Sequence, residues 1–194
     1  MFIIFRFYIY PVLILQGGLK YSLVGNYDIT SIKKILVSNN LEWDSYQFRQ
    51  KRYKDHSATK TIPIIWSEKF KEQEFWEPNY SIFKGEVTEI EEFIRKNLCN
   101  AGGFMSLILI NLPAGKSIER HIDANPMGER FNRCHRLHIP IITNPYCLFE
   151  MDGETKNMKE GEVWEISNVK LPHSVQNKGT SDRIHLLIDW DPFI

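Results

Sequence analysis

The second half of the chain consists of short apolar runs that follow one another with no helical segment between them. Gly, Pro, Asn and Asp bound the runs, in pairs such as Asn-Pro and Asp-Gly, and these residues typically separate strands. The five runs span residues 102–115, 136–144, 147–153, 161–168 and 182–190. A series of strands at this spacing favours a sandwich, a jelly roll or a barrel.

The first half of the chain contains the predicted helices. Residues 28–40 (DITSIKKILVSNN) and 86–99 (EVTEIEEFIRKNLC) repeat apolar residues at helical spacing. The second segment also carries its acids early and its bases late, as the helix dipole favours. Residues 59–67 (TKTIPIIWS) predict a strand, and Pro63 places that strand near a sheet edge. Together these elements indicate an α+β, mainly β chain.

Charge and cysteine content exclude several classes of protein. The 194 residues include 24 basic and 24 acidic ones, so no global field draws the chain to nucleic acid or to anionic lipid. The basic run RQKRYK at 49–54 is predicted to be a solvated face. Cys99, Cys134 and Cys147 lack C-x-x-C spacing, which indicates small apolar residues in a reducing compartment. We therefore expect a cytoplasmic protein with no nucleic-acid partner and no membrane partner.

Residues 1–18 are apolar, but Arg6 and Pro11 interrupt them. A membrane-spanning helix needs about 20 consecutive apolar residues, and a signal peptide needs a basic start and a small-residue cleavage site. The segment meets neither requirement. Its alternating pattern favours an edge strand, and an extension that lies outside the functional domain is the alternative.

Histidines are concentrated between residues 120 and 140, which hold three of the six in the chain. His121 and Asp123 are two positions apart, so in an extended segment their side chains project to the same side. His173, which follows a strand and a proline turn, offers a third ligand. Two histidines and one carboxylate form the facial triad of non-haem Fe(II) sites. A structural zinc site would require four closed ligands, which the cysteine positions do not supply.

Arginines and further histidines accompany this group. Arg183 lies in a predicted strand, and a buried arginine requires an anionic partner, for which its guanidinium fork suits a carboxylate. A dicarboxylate that also reaches the metal would meet this requirement, and pairing with Asp189 is the alternative. His185 shares a face with Arg183 and could add a donor. Arg136 and His138 form a second inward pair.

Other side chains are weaker candidates. Substrate contacts are proposed for Trp66, Trp164 and Arg120, on grounds of aromatic or cationic character alone. His56 lies outside the histidine cluster. We predict that it belongs to a surface loop, and a substrate contact is the alternative. His135 and Cys134 are predicted to have packing or surface roles.

The second half of the chain resembles a known family. The segments HID, HRLHIPIITNPYCLF, GEVWEISN, PHS and DRIHLLIDW are similar in order and spacing to the aspartyl/asparaginyl β-hydroxylase family of 2-oxoglutarate- and Fe(II)-dependent oxygenases. This family includes bacterial free-proline hydroxylases. The resemblance covers residues 104–191 and implies a double-stranded β-helix core, of the jelly-roll or cupin-like type. Residues 19–103 would form a helix-containing flanking part of the same single domain, 1–194.

The resemblance also implies roles for the residues. His121, Asp123 and His173 would hold Fe(II), and Arg183 would bind the distal carboxylate of 2-oxoglutarate. Arg136 and His138 would line the cosubstrate pocket, beside His185. The animal β-hydroxylases lack the carboxylate found here at Asp123, which favours the bacterial branch with small substrates.

The implied activity is hydroxylation of an amino acid or an amino-acid side chain, with succinate and CO2 as coproducts. The partner would then be a small-molecule amino acid or a peptide. Two alternatives remain open: a metal-binding cupin without oxygenase activity, such as an isomerase or a sensor, and a non-catalytic interaction module.

Overall fold

The computed structural model describes residues 20–66, 73–123, 132–167 and 171–194. The predicted extension or edge strand at 1–18 lies outside these residues. The helices of the described residues are α1 (Thr30–Ser38), α2 (Phe48–Arg52) and α3 (Asn79–Asn97). Their strands are β1 (Tyr21–Asn26), β2 (Lys60–Trp66), β3 (Gly103–Leu112), β4 (Ser117–His121), β5 (His135–Ile142), β6 (Cys147–Met151), β7 (Glu154–Lys156), β8 (Glu162–Ile166), β9 (His173–Asn177) and β10 (Arg183–Asp191).

The strands form two sheets. The large sheet has the order β1-β8-β5-β10-β3-β2, and the small sheet has the order β4-β9-β6-β7. Every pair of neighbouring strands is antiparallel. The predicted mainly β chain with few helices is confirmed, and the two antiparallel sheets are consistent with a jelly roll.

Strand β10 shows how the sequence positions the functional groups. It is buried along its whole length, between β3 and β5 at the centre of the large sheet. Because side chains alternate along a strand, its two faces differ in character. One face packs in the main apolar core and carries Ile184, Leu186, Ile188 and Trp190. The other face carries Arg183, His185, Leu187 and Asp189.

Helices α1 and α3 cover the apolar face of the large sheet. Helix α1 begins where Asp28 Oδ1 accepts a hydrogen bond from the Thr30 N–H at 2.9 Å, and it buries Ile32. Helix α3 buries an apolar stripe against the same core, formed by Phe83, Val87, Ile90 and Ile94. Both predicted helices are confirmed, although α3 begins at Asn79, seven residues before the predicted segment.

The sequence does not predict four of the strands: β1, at the edge of the large sheet, and β4, β7 and β9 of the small sheet. Strands β4 (SIERH), β7 (ETK) and β9 (HSVQN) are short and mostly polar. They carry little of the apolar alternation on which strand prediction depends. The predicted strand at 59–67 is confirmed as β2, and Pro63 lies there in an edge strand. Within the four described stretches, no helix is both long enough and apolar enough to cross a membrane.

Candidate functional site

Polar side chains from both sheets line one cavity. The large sheet contributes Arg136 and His138 from β5 and Arg183 and His185 from β10. Each pair is two residues apart, so the alternation of the strand directs both members to the same face. The predicted inward pairs are therefore found together.

The small sheet contributes His121, Asp123 and His173 to the same cavity. His121 ends β4 and lies opposite His173, the first residue of β9. The Asp123 carboxylate faces both imidazoles: its Oδ1 is 3.3 Å from His121 Nε2, and its Oδ2 is 3.9 Å from His173 Nε2. The centroids of the two imidazole rings are 4.4 Å apart.

Hydrogen bonds orient the two imidazoles. His121 Nδ1 lies 2.7 Å from the Glu119 carbonyl oxygen, and His173 Nδ1 lies 3.3 Å from the Leu171 carbonyl oxygen. Because a carbonyl only accepts, each Nδ1 carries the proton in the neutral ring, and each Nε2 lone pair faces Asp123. Two lone pairs and a carboxylate directed at one point repel one another unless a cation lies among them. This donor set fits a divalent metal ion, and the backbone contacts are those that orient metal-binding histidines.

The charges around Asp123 favour its ionised form. Burial would raise the pKa of this carboxyl, but Arg136, His121 and His173 together hold it well below its ordinary value. Burial lowers the pKa of His173. For His121 the effect of burial is outweighed by Asp123 and by the Glu119 carbonyl, so its pKa is raised.

His56 belongs to the same group, and its predicted place in a surface loop is wrong. It ends the 3₁₀ turn Lys54–His56, and its ring centroid lies 5.0 Å from that of His121. One ligand atom from each of His56, His121 and Asp123 falls within 4.8 Å of the others. His56 Nδ1 is buried and has no hydrogen-bond partner in the described part of the chain. Its isolated position in the sequence gave no signal of this proximity.

Arg136 links the two sheets. Its Nη1 donates to Asp123 Oδ2 at 2.6 Å, and its Nε and Nη2 donate to the two oxygens of Asp189 at 2.7 and 2.8 Å. Asp189 also accepts from Ser106 Oγ at 2.6 Å. The alternative pairing of Arg183 with Asp189 is therefore wrong, because Arg136 and Ser106 occupy that carboxylate.

Arg183 is 3% exposed and has no carboxylate beside it in the described residues. Its Nη2 donates to His185 Nδ1 at 2.8 Å. A guanidinium only donates, so the neutral His185 ring carries its proton on Nε2, a buried donor that has no hydrogen-bond partner in the described segments. His138 Nδ1 is a further buried atom of this kind. Burial lowers the pKa of Arg183 to about 10. These unsatisfied groups fit an anionic ligand with several acceptor oxygens.

Arg49 also lines the cavity, so the predicted solvated face at 49–54 is wrong at its first residue. The helix α2 directs Arg49 inward, and only 6% of it is exposed, whereas Lys51 and Arg52 lie on the exposed side. Four cations in six positions hide such a division, because their charge pattern does not show which face of a short helix is covered.

Apolar side chains complete the wall of the cavity. The Phe149 ring stacks on His173 with an interplanar angle of 4° and a centroid distance of 5.7 Å. The three weak substrate candidates lie elsewhere in the described structure. Trp66 is buried beside Tyr46, Trp164 packs under the Lys156 ammonium, and Arg120 is exposed.

The sequence model of the aspartyl/asparaginyl beta-hydroxylase family matches residues 22–192, which include all of these cavity residues. The chain belongs to this family. The sequence is also 29% identical over 93 residues to the L-proline cis-4-hydroxylase of Rhizobium meliloti (strain 1021). That match covers 48% of this chain and 31% of the relative, so the chain spans only about a third of the length of that enzyme.

Solved structures share the fold of this family member at low sequence identity. An oxidoreductase of the 2OG-Fe(II) oxygenase family from Burkholderia pseudomallei superposes with a TM-score of 0.62 and 10% identity, over 84% of this chain and 77% of its own. The viral collagen prolyl hydroxylase of Paramecium Bursaria Chlorella virus-1 gives a TM-score of 0.58 and 9% identity, over 91% and 97% of the two chains. A Pseudomonas putida prolyl-4-hydroxylase gives 0.52 and 11%, over 91% and 94%.

Proposed function

We propose that the protein is a 2-oxoglutarate- and Fe(II)-dependent dioxygenase that hydroxylates an amino acid or an amino-acid side chain. One observation carries this proposal. A buried arginine without a carboxylate partner in the described residues, Arg183, lines the same cavity as two histidines and an aspartate. Family membership and the prolyl hydroxylases of the same fold support it.

His121, Asp123 and His173 would hold the iron, with the Nε2 atoms and one carboxylate oxygen as ligands. His56 is the competing ligand, because it also lies within reach of His121 and Asp123. His173 is favoured because its ring is held from two sides: by the Leu171 carbonyl and by the stacked Phe149 ring. With 2-oxoglutarate and O2, bound Fe(II) supplies the oxidising chemistry that hydroxylates a C–H bond and yields succinate and CO2.

Arg183 would bind the distal carboxylate of 2-oxoglutarate as a two-pronged donor. The neutral His185 holds the guanidinium in place by accepting its hydrogen bond, and Nε2–H of His185 is left to donate to the ligand. His138 and Arg136 would line the same end of the pocket. Desolvation makes each of these charge-assisted bonds stronger than it would be in water.

The substrate class rests on the relatives. The curated relative acts on L-proline, and two structural neighbours are prolyl hydroxylases. A small amino acid or a peptide therefore suits the proposed activity. The proposed enzyme is a single domain whose two sheets form a double-stranded β-helix. No disulfide joins Cys99, Cys134 and Cys147 to one another, which fits the cytoplasm.

The test is spectroscopic and anaerobic. Fe(II) and 2-oxoglutarate are added to the purified protein, and the visible metal-to-ligand charge-transfer band is recorded for the wild type and for Arg183→Ala. A band that requires both additions, and whose apparent 2-oxoglutarate affinity falls in the variant, supports the proposal. Folded, metal-loaded protein without a band would identify a metal-binding cupin. Absence of Fe(II) binding would identify a non-catalytic module.

A further inference from the structure

Arg49 is a second buried arginine of the cavity, separate from Arg183. Its side chain makes no hydrogen bond and no ion pair within the described residues, and its Nη1 atom is fully buried. A guanidinium has five N–H donors and is charged at neutral pH. Burying such a group without acceptors is costly, so a folded protein retains it only where it serves another purpose.

The charged neighbours of Arg49 do not neutralise it. Burial, with the repulsion of Arg136, lowers the pKa of Arg49 to about 10. Asp123 and Asp189 are the two acids whose charges raise the pKa of Arg49. Both already accept short hydrogen bonds from Arg136. Within the described part of the chain, Arg49 therefore has no anion of its own.

Arg49 and Arg183 reach the cavity from different elements of the fold. Arg183 projects from β10 of the large sheet beside His185, whereas Arg49 projects from α2 in the flanking part of the chain. The charge of Arg136 contributes to lowering the pKa of Arg49, whereas burial lowers the pKa of Arg183 and Arg49 is not among its causes. We therefore treat the two arginines as separate anion-binding groups.

His56 extends the polar surface around Arg49. His56 ends the 3₁₀ turn that follows α2, and it lines the same cavity. Its Nδ1 atom is buried and has no hydrogen-bond partner in the described segments. The Arg49 guanidinium and the His56 imidazole are thus two polar groups of the same cavity, and His56 lies beside the candidate metal ligand His121.

We propose that Arg49 binds the carboxylate of the substrate and that the substrate is a free amino acid with an unblocked α-carboxylate. The inference rests on the proposed function, because it takes Arg183 as the cosubstrate anchor. A guanidinium fork matches a carboxylate in two parallel hydrogen bonds. An amino acid blocked as its amide would leave that fork unsatisfied, so the site discriminates against residues within a peptide chain.

The experiment uses the anaerobic complex of the full chain with Fe(II) and 2-oxoglutarate, in which no turnover occurs. The charge-transfer band is recorded first, and free amino acids and their amides are then titrated against it, with L-proline and L-prolinamide as the first pair. Absence of the band before any amino acid is added contradicts the proposed function, and the inference with it. A band that no free amino acid perturbs contradicts only the inference.

For the wild type we expect the acid to bind at least about thirtyfold more tightly than the amide. Arg49→Gln should remove this preference and leave the 2-oxoglutarate affinity within threefold. Arg52→Gln, in the same helix but exposed, is the matched control and should behave as the wild type. Equal affinity of acid and amide for the wild type, or an unchanged preference in Arg49→Gln, overturns the inference.

Two further measurements guard against a folding defect. Arg49→Lys keeps the charge and loses the fork, so it should bind the free acid about tenfold more weakly than the wild type; wild-type affinity would count against the proposal. Because Arg49 is an uncompensated charge in the ligand-free protein, Arg49→Gln should raise the Tm of that form by about 2–4 °C. A lowered Tm with unchanged ligand preference identifies a structural residue.

Discussion

Arg136 holds Asp123 and Asp189 at the same time, through one hydrogen bond of 2.6 Å to Asp123 Oδ2 and two bonds to Asp189. Ser106 fixes Asp189 from the other side. The large sheet, through Arg136, therefore sets the orientation of Asp123, a candidate metal ligand that follows β4 of the small sheet. Contacts of this kind around metal ligands determine both their direction and their charge.

The first prediction concerns this bridge. Arg136→Gln leaves Asp189 fully buried without its two guanidinium bonds, and breaking a buried pair in this way costs about 3–5 kcal/mol of unfolding free energy. Urea denaturation of the metal-free protein measures the change. Lys33→Gln breaks the surface pair with Glu160, whose side chains are 41% and 38% exposed, and should cost less than about 1 kcal/mol. Equal losses in the two variants would contradict a specific role of the bridge.

The second prediction separates the two possible ligand sets. His173→Gln should weaken Mn(II) binding at least about a hundredfold, because even changes around metal ligands cost 10–100-fold. His56→Gln, at a residue of the same type in the same cavity, should change the affinity by less than about threefold. Isothermal titration under anaerobic conditions gives both values. The reverse order would assign the third position to His56.

The third prediction concerns Arg183. Arg183→Met should weaken 2-oxoglutarate binding to the metal-loaded protein by about 2–5 kcal/mol and leave Mn(II) affinity unchanged. The same change should stabilise the ligand-free protein, since it removes a buried charge that has no carboxylate partner in the described residues. Titration and thermal unfolding measure the two effects. Loss of stability together with unchanged 2-oxoglutarate affinity would show that Arg183 serves the fold.

The fourth prediction is a pH dependence. Burial and the charge of Arg183 hold the pKa of His138 and His185 well below 6.5. Below that pH the unfolded chain binds protons that the folded chain excludes, so the stability is complete above pH 6.5 and declines as the pH falls. The decline should reach at most about 1.4 kcal/mol per histidine per pH unit. Urea denaturation between pH 5 and 7 should show a shallower slope for His138→Asn/His185→Asn than for the wild type.

The fifth prediction concerns the close approach of Gly102 to the chain end. Its φ is +102°, and a Cβ there would lie 2.2 Å from the Asp191 carbonyl oxygen. Gly102→Ala should therefore destabilise the fold by more than about 1 kcal/mol. Gly85→Ala, in the exposed face of α3 with nothing within 4 Å, should stabilise it by about 0.5–1 kcal/mol. Thermal unfolding compares them, and destabilisation by both would contradict this distinction.

The parts of the site that the sequence predicts lie on strands with a regular pattern. Alternation in β5 and β10 indicates that Arg136, His138, Arg183 and His185 face inward, and the structure agrees. His121 and Asp123 are close enough in the chain for their proximity to follow from their spacing alone.

The parts that the sequence does not predict depend on long-range packing. Arg49 and His56 reach the cavity because α2 and the following turn fold across its edge. Both segments are too short for a sequence periodicity that would indicate which of their side chains are buried. Strand β9 carries His173, but its pattern HSVQN is too polar and too short to identify it as a strand.

The division of the site between the sheets has an evolutionary consequence. The candidate metal ligands His121 and His173 belong to strands β4 and β9, and the proposed carboxylate-binding groups Arg183 and His185 belong to β10. If the proposed roles hold, mutations in the small sheet can abolish metal binding while the large sheet keeps its dicarboxylate site. A descendant that lost His173 would then bind the dicarboxylate as a sensor without consuming it.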